Sequence, residues 1–385
     1  MMDSPQRICL LGSTGSVGEK TLQVARDHPD RFRIVGLSAH ASEARLLEQV
    51  AEFRPEAACL SGRSEAPSVN GAARWLAGAE GLVELIDACA PDRVVVATVG
   101  AAGLMPTLRA IESDASVALA NKEVLVTAGE LVMALARRRG TTILPIDSEH
   151  NAIFQCLEGR PEAPVRRLIL TASGGPFRGW PRERLERATA ADALRHPTWA
   201  MGRKITIDSA TMMNKGFEMI EAHHLFGVAP GRIEIVVHPQ SVVHSMVEFI
   251  DGSMLAQLGR TDMYFPIVHA LAHPDRLANS RFEALDLAAL GSLDFEDYDR
   301  AAFPCPDYAH EAIRRGGTFP AALNAANEIA VARFLAGEIR FTAVAEVVDA
   351  VLQAHESTGA ADLESIRAAD AWARDEARAM TAARA

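Results

Sequence analysis

Cysteine is scarce in this 385-residue chain, and its five copies (Cys9, Cys59, Cys89, Cys156 and Cys305) are scattered, odd in number and free of any C-x-x-C pair. That argues against a disulfide scaffold and for reduced thiols in a cytoplasmic protein. Basic tracts are missing as well. Asp and Glu number 50 against 39 Lys and Arg, a net charge of −11, so nucleic acid is not the expected partner. An anionic small molecule would need a local cationic pocket working against the overall field. No stretch approaches the roughly 18–20 continuous apolar residues of a membrane helix, and no apolar run precedes the first expected strand, so neither a membrane span nor a secretory signal is expected. Internal repeats and low-complexity tracts are absent too. What is present is 49% hydrophobic and 23% charged residues, the composition of a folded chain long enough for two or three domains.

The N-terminal part alternates strands and helices. Residues 7–11 form a short apolar strand that runs into Gly12-Ser13-Thr14-Gly15-Ser16-Val17-Gly18, and a helix-like stretch follows to Asp27. A strand, a glycine turn and a helix start together suit a dinucleotide pyrophosphate: glycines let the backbone approach, and the helix offers free N–H groups and the positive end of its dipole. The spacing is G-x-x-G-x-x-G, with strand and helix in the required places. The second strand, 32–37, ends in Ser38-Ala39-His40-Ala41-Ser42 with no acid before Glu43. An acid there would bind a free ribose 2′-hydroxyl; small hydroxylated residues and a histidine favour a 2′-phosphate, hence NADP over NAD. Strands at 93–97 and 116–120 follow, each with a helix behind it (104–112 and 124–139). This alternation implies a mostly parallel sheet covered on both faces. Ligands gather at the carboxyl ends of such strands, where the glycine turn, Asn121-Lys122-Glu123 and Asp147-Ser148-Glu149 all fall. Lys122 beside Glu123 is either a surface ion pair or a catalytic group.

The apolar run 141–144 is a buried strand that delivers Asp147, Ser148 and Glu149. If the backbone stays extended there, Asp147 and Glu149 share a face. Crowded carboxylates are tolerated when solvated or around a hard divalent cation such as Mg²⁺ or Mn²⁺. Residues 150–157 continue as a helix, and 166–171 form a strand closed by a small-residue turn at Ser173, which either binds an anion or stabilises the turn. The next thirty or so residues, to about Arg203, carry His196, Trp199, Met201 and Gly202 and form either a lid or a surface loop whose Trp packs on the body. Ser209 is expected to cap a helix running to about Phe226. On it Asn214, Lys215 and Glu218 share a face: either Lys215 and Glu218 are a helix-surface ion pair, or Glu218 is a third carboxylate for a metal and Ser209, Asn214 and Lys215 form a cradle for phosphate. Strands are expected at 233–237, 242–249 and 253–258, with a hairpin turn at Asp251-Gly252. His238 and His244 fit a structural role better than a metal site. Residues 272–306 form an irregular linker and 307–385 a small helical bundle, whose Asn324, Asn327 and Glu328 buttress the rest.

These motifs together resemble one family, 1-deoxy-D-xylulose-5-phosphate reductoisomerase. They are GSTGSVG at 12–18, ANKE at 120–123, PIDSEHNAIFQ at 145–155, SGGPF at 173–177, RHPTWAMGRKITIDSATMMNKGFE at 195–218, HPQSVVHSMV at 238–247 and ALNAANE at 322–328. The resemblance runs the length of the chain, in order. It implies an α/β protein with an N-terminal Rossmann-like doubly wound parallel sheet (1–146), a central α/β catalytic domain with a lid loop (147–272, lid about 173–203), a linker (273–306) and a C-terminal small α-helical bundle (307–385). It implies NADPH, a divalent metal (Mg²⁺, Mn²⁺ or Co²⁺), a phosphorylated ketose substrate and a homodimer. By motif match, Asp147, Glu149 and Glu218 bind the metal, and with Lys122 they form the catalytic set. Ser148, Glu149 and Lys122 contact the carbonyl and hydroxyl end of the substrate, and Ser173, His196, Ser209, Asn214 and Lys215 hold its phosphate. Thr14, Gly15, Ser16, Val17, Asn121, Glu123 and Gly202 contact NADPH, while Trp199 and Met201 close the lid. One departure concerns the turn after the second strand: many members carry Gly-basic-Asn there, whereas this chain has His40-Ala41-Ser42, leaving His40 and Ser42 for the 2′-phosphate.

Two other readings compete. An NADP-dependent semialdehyde dehydrogenase-like enzyme would need a nucleophilic cysteine, for which Cys156 is the nearby candidate, on an apolar helix face with no activating partner in the sequence. A catalytically idle nucleotide sensor would have no use for three placed carboxylates.

Overall fold

The computed structural model describes residues 4–67, 73–159, 164–199, 201–278, 281–357 and 362–380. Ala200 of the expected lid, 279–280 of the expected linker, and 358–361 and 381–385 of the expected bundle lie outside the described residues. Two compact units form, each from three parts of the chain: Met1–Val124, Val132–Asn151 and Asp262–Phe282 in the first, Leu125–Leu131, Ala152–Thr261 and Glu283–Ala385 in the second.

The first unit is built on seven strands, β1 (Gln6–Leu11), β2 (Phe32–Ala39), β3 (Ala57–Leu60), β4 (Arg74–Ala77), β5 (Arg93–Val96), β6 (Ser116–Leu119) and β7 (Ile143–Pro145). They lie in the order β4-β3-β2-β1-β5-β6-β7, and every pairing is parallel. Near-continuous burial of β1, β3 and β5 explains their apolar runs, since helices cover both faces of such a sheet. The order reverses between β1 and β5, the place where a doubly wound sheet opens a crevice at its carboxyl edge. Strands β3 and β4, with the helix Gly78–Cys89, complete the half-sheet between the expected second strand and residue 93. Four-residue strands are too short for a period to show in sequence.

Asp262–Phe282 joins this unit through polar ties. Lys20 Nζ lies 2.8 Å from Asp262 Oδ2, and Arg281 pairs with Asp27 at 2.7 Å, holding the Asp27 carboxyl down at about 2. Arg93, 6% exposed, donates to the carbonyls of Ala270 (2.5 Å) and Leu271. Burial brings its guanidinium down to about 10.

The second unit contains a mixed sheet, β11-β10-β8-β9, of β8 (Val165–Ala172), β9 (Ile233–Val237), β10 (Val243–Phe249) and β11 (Met254–Leu258). β8 and β9 are parallel and the other pairs antiparallel. The hairpin turn falls as expected, with Gly252 at φ +84° and Asp251 Oδ1 accepting from Ser253 N–H at 2.9 Å. The C-terminal helices Cys305–Arg315, Phe319–Leu335, Phe341–Ala354 and Leu363–Ala379 share one hydrophobic core with the helix Met213–Phe226, through Phe177, Phe217, Phe334 and Phe341. The Phe177 and Phe341 rings meet edge to face, 4.7 Å between centroids. No described helix is long and apolar enough to cross a membrane. All five cysteines are free and buried.

Arg93 anchors Asp262–Phe282 to the sheet with a charge that has left water. Arg93→Ala strands two carbonyls, so it is expected to lower the unfolding free energy by about 2–4 kcal/mol; an unchanged urea midpoint would refute the anchor.

Candidate active site

In the first unit the expected groups fall along the carboxyl edge of the sheet. The glycine turn after β1 is pinned to β2 by Gly12 and Ser13 N–H donating to Ser38 O (3.1 and 2.8 Å). Gly12 sits at φ +87°, and a Cβ there would lie 2.4 Å from Ala97 O, so only glycine fits. The helix Ser16–Asp27 starts at Gly15 with no side-chain cap, leaving its first-turn amides directed at the edge. Asn121, 2% exposed, caps the helix Lys122–Arg139 by accepting from Val124 N–H (3.0 Å) and donates to Thr98 O (2.8 Å) and Gly100 O (2.9 Å). It thus clamps the loop after β5 to the end of β6.

Asp147 and Glu149 depart from the extended geometry considered for them. The strand ends at Pro145, the Asp147 carbonyl accepts the first helical bond from Asn151 N–H (2.8 Å), and Ser148 and Glu149 open the helix Ser148–Leu157. Ser148 Oγ donates to Glu149 Oε2 at 2.6 Å. Asp147 Oδ2 takes the ammonium of Lys122 and lies 3.4 Å from His150 Nδ1. Lys122 is therefore not a surface charge: its side chain is 10% exposed, and it crosses from the end of β6 to the end of β7.

In the second unit the helix expected to start at Ser209 is two helices. Arg203–Ala210 ends, Met212 takes φ +62°, and Met213–Phe226 begins. Ser209 thus lies in a last turn and caps nothing. The break brings its carbonyl against Gly175, whose Cβ would stand 2.6 Å from Ser209 O, so the 173–177 turn and Ser209 meet. Ser173 Oγ lies 3.1 Å from His196 Nε2 and accepts from Gly175 N–H at 3.2 Å. His196 Nδ1 accepts from Thr198 and Trp199 N–H (3.1 and 2.9 Å). With Nδ1 an acceptor, the ring proton sits on Nε2 and is donated to Ser173, whose own O–H is then turned outward. Burial, and secondarily the Lys215 ammonium, hold His196 below the ordinary imidazole range.

Lys215 and Glu218 are a buried pair rather than a helix-surface one, their side chains 8% and 1% exposed and 2.5 Å apart. Asn214 Nδ2 donates to the other Glu218 oxygen at 2.6 Å, and Asn214 Oδ1 is buried without a partner among the described residues.

Lys204 and Asp208 were not singled out from the sequence, and Asn327 was expected only to buttress the rest. Lys204 Nζ lies 2.9 Å from Asp208 Oδ2, and Asp208 Oδ1 accepts from Asn327 Nδ2 at 2.7 Å. The i,i+4 spacing signalled the first contact; nothing local signalled the second. Phe177, Leu185 and Ala193 are fully buried, so most of 173–203 is anchored, and Trp199, Met201 and Gly202 lie in the less buried stretch near its end. Gly202 begins the helix Arg203–Ala210. His40 and Ser42 stand exposed after β2, His40 Nδ1 lying 3.3 Å from Ser61 Oγ. His238 is satisfied structurally: Nδ1 lies 2.8 Å from Asp294 O, and Nε2 accepts from Val242 N–H at 3.1 Å. Cys156 packs in the hydrophobic core, 6% exposed, an environment that disfavours a thiolate nucleophile.

A doubly wound parallel sheet, a glycine turn at its first helix and a lysine–acid pair on the same edge define a nucleotide-binding α/β enzyme. Family models narrow the class: 1-deoxy-D-xylulose 5-phosphate reductoisomerase matches 8–129, its C-terminal domain 143–226, and a DXP reductoisomerase C-terminal domain 258–376. The enzyme of that name from Symbiobacterium thermophilum is 52% identical over 382 residues, covering 96% of this chain and 97% of its own. That from Synechococcus sp. (strain JA-2-3B'a(2-13)) is 50% identical over 378 residues, 96% of each. Among solved structures, the Zymomonas mobilis enzyme in complex with NADPH superposes with a TM-score of 0.91 at 43% identity, covering 98% of this chain and 99% of its own. A DOX-P reductoisomerase in complex with NADPH, fosmidomycin and magnesium gives 0.91 at 44%, covering 97% and 98%. The chain belongs to the 1-deoxy-D-xylulose 5-phosphate reductoisomerase family.

His196 yields a pH prediction. Its folded value lies below the unfolded one, so the unfolded chain takes up the proton first as pH falls. The contribution is complete above the ordinary imidazole value and is lost as pH drops through and below it. His196→Gln should therefore shrink the fall in Tm between about pH 7.5 and about pH 5.5; an equal fall in both proteins would refute it.

Proposed function

We propose that this chain carries out the NADPH-dependent, divalent-metal-dependent rearrangement and reduction of 1-deoxy-D-xylulose 5-phosphate to 2-C-methyl-D-erythritol 4-phosphate, a step of non-mevalonate isoprenoid biosynthesis. One observation carries the reading: relatives of that name share about half of the sequence over nearly its whole length, and solved members contain NADPH and magnesium.

Roles follow from donor chemistry. Gly12 and Gly18 let the pyrophosphate approach, and the amides of Thr14, Gly15, Ser16 and Val17 hold it at the uncapped helix start. Asn121, Glu123 and Gly202 contact the rest of NADPH, with His40 and Ser42 toward the 2′-phosphate. At the phosphate end of the substrate, Ser173, Ser209 and Lys215 supply donors, and His196 fixes the direction of the Ser173 hydroxyl. Asn214 Oδ1 is an acceptor, which suits a substrate hydroxyl next to the phosphate.

Asp147, Glu149 and Glu218 are hard oxygen donors of the kind Mg²⁺, Mn²⁺ and Co²⁺ take. Asp147 and Glu149 belong to the first unit and Glu218 to the second, so the reading requires both units to share one cation. Such a cation, when bound, polarises the carbonyl and stabilises charge developing on the substrate oxygens. Lys122 holds a proton at Nζ for the hydroxyl end, beside Ser148 and Glu149. Trp199 and Met201 exclude water as the lid closes. For hydride delivery the protein contributes position and electrostatics.

The working form is a cytoplasmic homodimer, as five free thiols and an apolar sheet edge suggest. Strand β11 is an edge strand, with Met254 (45%), Leu255 (38%) and Leu258 (36%) exposed beside Ile250 (67%), the profile of a covered interface.

The reading is tested by following NADPH absorbance with 1-deoxy-D-xylulose 5-phosphate: oxidation stops with a chelator and returns with Mg²⁺ or Mn²⁺, and metal-independent oxidation would refute it. Glu218→Gln should lower kcat by about 100-fold or more with the fold intact; near-normal turnover would remove Glu218 from the metal. Met254→Lys combined with Leu255→Lys should sediment as a monomer, and a dimer unaffected by both would place the interface elsewhere.

A further inference from the structure

The NADPH reading leaves a charge problem at the end of β2. A 2′-phosphate carries between one and two negative charges and calls for a cation, yet His40-Ala41-Ser42 offers no lysine or arginine. The next residue, Glu43, opens the following helix, and its carboxylate would repel a phosphate held at this turn. The turn alone therefore leaves a 2′-phosphate without a permanent countercharge.

The structure supplies the missing charge from the neighbouring strand. β2 and β3 run parallel and in register to their ends, Ala39 opposite Leu60. The turns that follow are joined: Ser61 N–H donates to Ala39 O and Gly62 N–H to His40 O, each at 2.9 Å, and His40 Nδ1 lies 3.3 Å from Ser61 Oγ. Arg63 comes next, and its guanidinium forms an ion pair with Glu43. Arg63 thus cancels the acid that would repel a phosphate. A guanidinium has five N–H donors, and one carboxylate takes at most two. The Arg63 side chain is 57% exposed, open to a ligand on the side away from Glu43. Arg45, in the first turn of the helix Glu43–Phe53, is committed otherwise: it grips Glu19 through two bonds of 2.6 and 2.9 Å and Glu48 through one of 2.5 Å. Ser42 begins the helix Glu43–Phe53 without its hydroxyl capping it.

Resting on the NADPH reading above, we propose that Arg63, paired with Glu43 and set beside His40, Ser42 and Ser61, is the specificity-determining cation that recognises the 2′-phosphate of NADPH. Selectivity in this chain then comes from two adjacent strands, with the β3 turn correcting the charge of the β2 turn.

The test is calorimetric titration of the full chain with adenosine 2′,5′-bisphosphate, which carries the 2′-phosphate, and with 5′-AMP, which lacks it. Arg63→Ala should weaken the bisphosphate by about 10- to 100-fold and leave 5′-AMP within about twofold. Arg63→Lys should restore part of the loss, since it returns the charge without the fork. Adding Glu43→Gln to Arg63→Ala should also restore part, because the unbalanced acid is gone. The KM ratio of NADPH to NADH should follow the same order, and Tm confirms that each variant is folded. Undiminished bisphosphate binding in Arg63→Ala, or equal weakening of both nucleotides, would overturn the assignment. A wild-type chain that binds the two nucleotides equally would overturn the NADPH reading itself, a result visible before any variant is made.

Discussion

A carboxylate removed from water must be given a countercharge, and that constraint governs the buried acids of each unit. Asp147 is met by Lys122 and Glu218 by Lys215, with the side chains of both pairs between 1% and 16% exposed. Removing one partner of such a pair costs about 3–5 kcal/mol, because the other charge is left stranded. The cations therefore hold the acids in defined rotamers, and Asn214 fixes the second oxygen of Glu218. Acids held this way keep their oxygens in place with little reorganisation left to do.

The backbone that carries these groups obeys a related constraint, since helix starts leave amides unpaired. Asn121 answers one start with its own side chain and, with the same amide, ties down the loop after β5. The start at Gly15 has no side-chain cap, and a bound pyrophosphate is the chemical partner such amides take. His196 works by similar economy. Its Nδ1 satisfies two backbone amides, which sets the tautomer, orders the chain at 198–199 and directs the Ser173 hydroxyl.

Support for the cradle comes from far along the chain. Asn327, on a C-terminal helix, bonds Asp208, which also pairs with Lys204 beneath Ser209. The C-terminal helices thus do more than add mass: their shared core with Phe177 and Phe217 holds the 173–177 turn and the helix of Glu218 against one another. The expectation that Asn327 buttresses the rest agrees with this contact, although its target was not legible.

The alternation of short apolar strands with helical periods determined the parallel α/β sheet, and Gly12 to Gly18 with flanking strand and helix determined the tight turn into its first helix. Both are local patterns, set by side-chain period and by which residues tolerate a given φ. Lys122, Asp147, Ser148 and Glu149 were legible for the same reason, because strand ends can be read from a few residues and a parallel sheet aligns them. Only the tertiary structure decided the rest. The return of Asp262–Phe282 to the first sheet depends on ion pairs and carbonyl contacts spanning well over a hundred residues, which no window detects. The helix break at Met212, and with it the meeting of Ser209 with Gly175, depends on a left-handed residue that propensity disfavours. The burial of Lys215 with Glu218 depends on what packs over them: i,i+3 spacing places two charges on one face, but only neighbouring elements determine whether that face meets water.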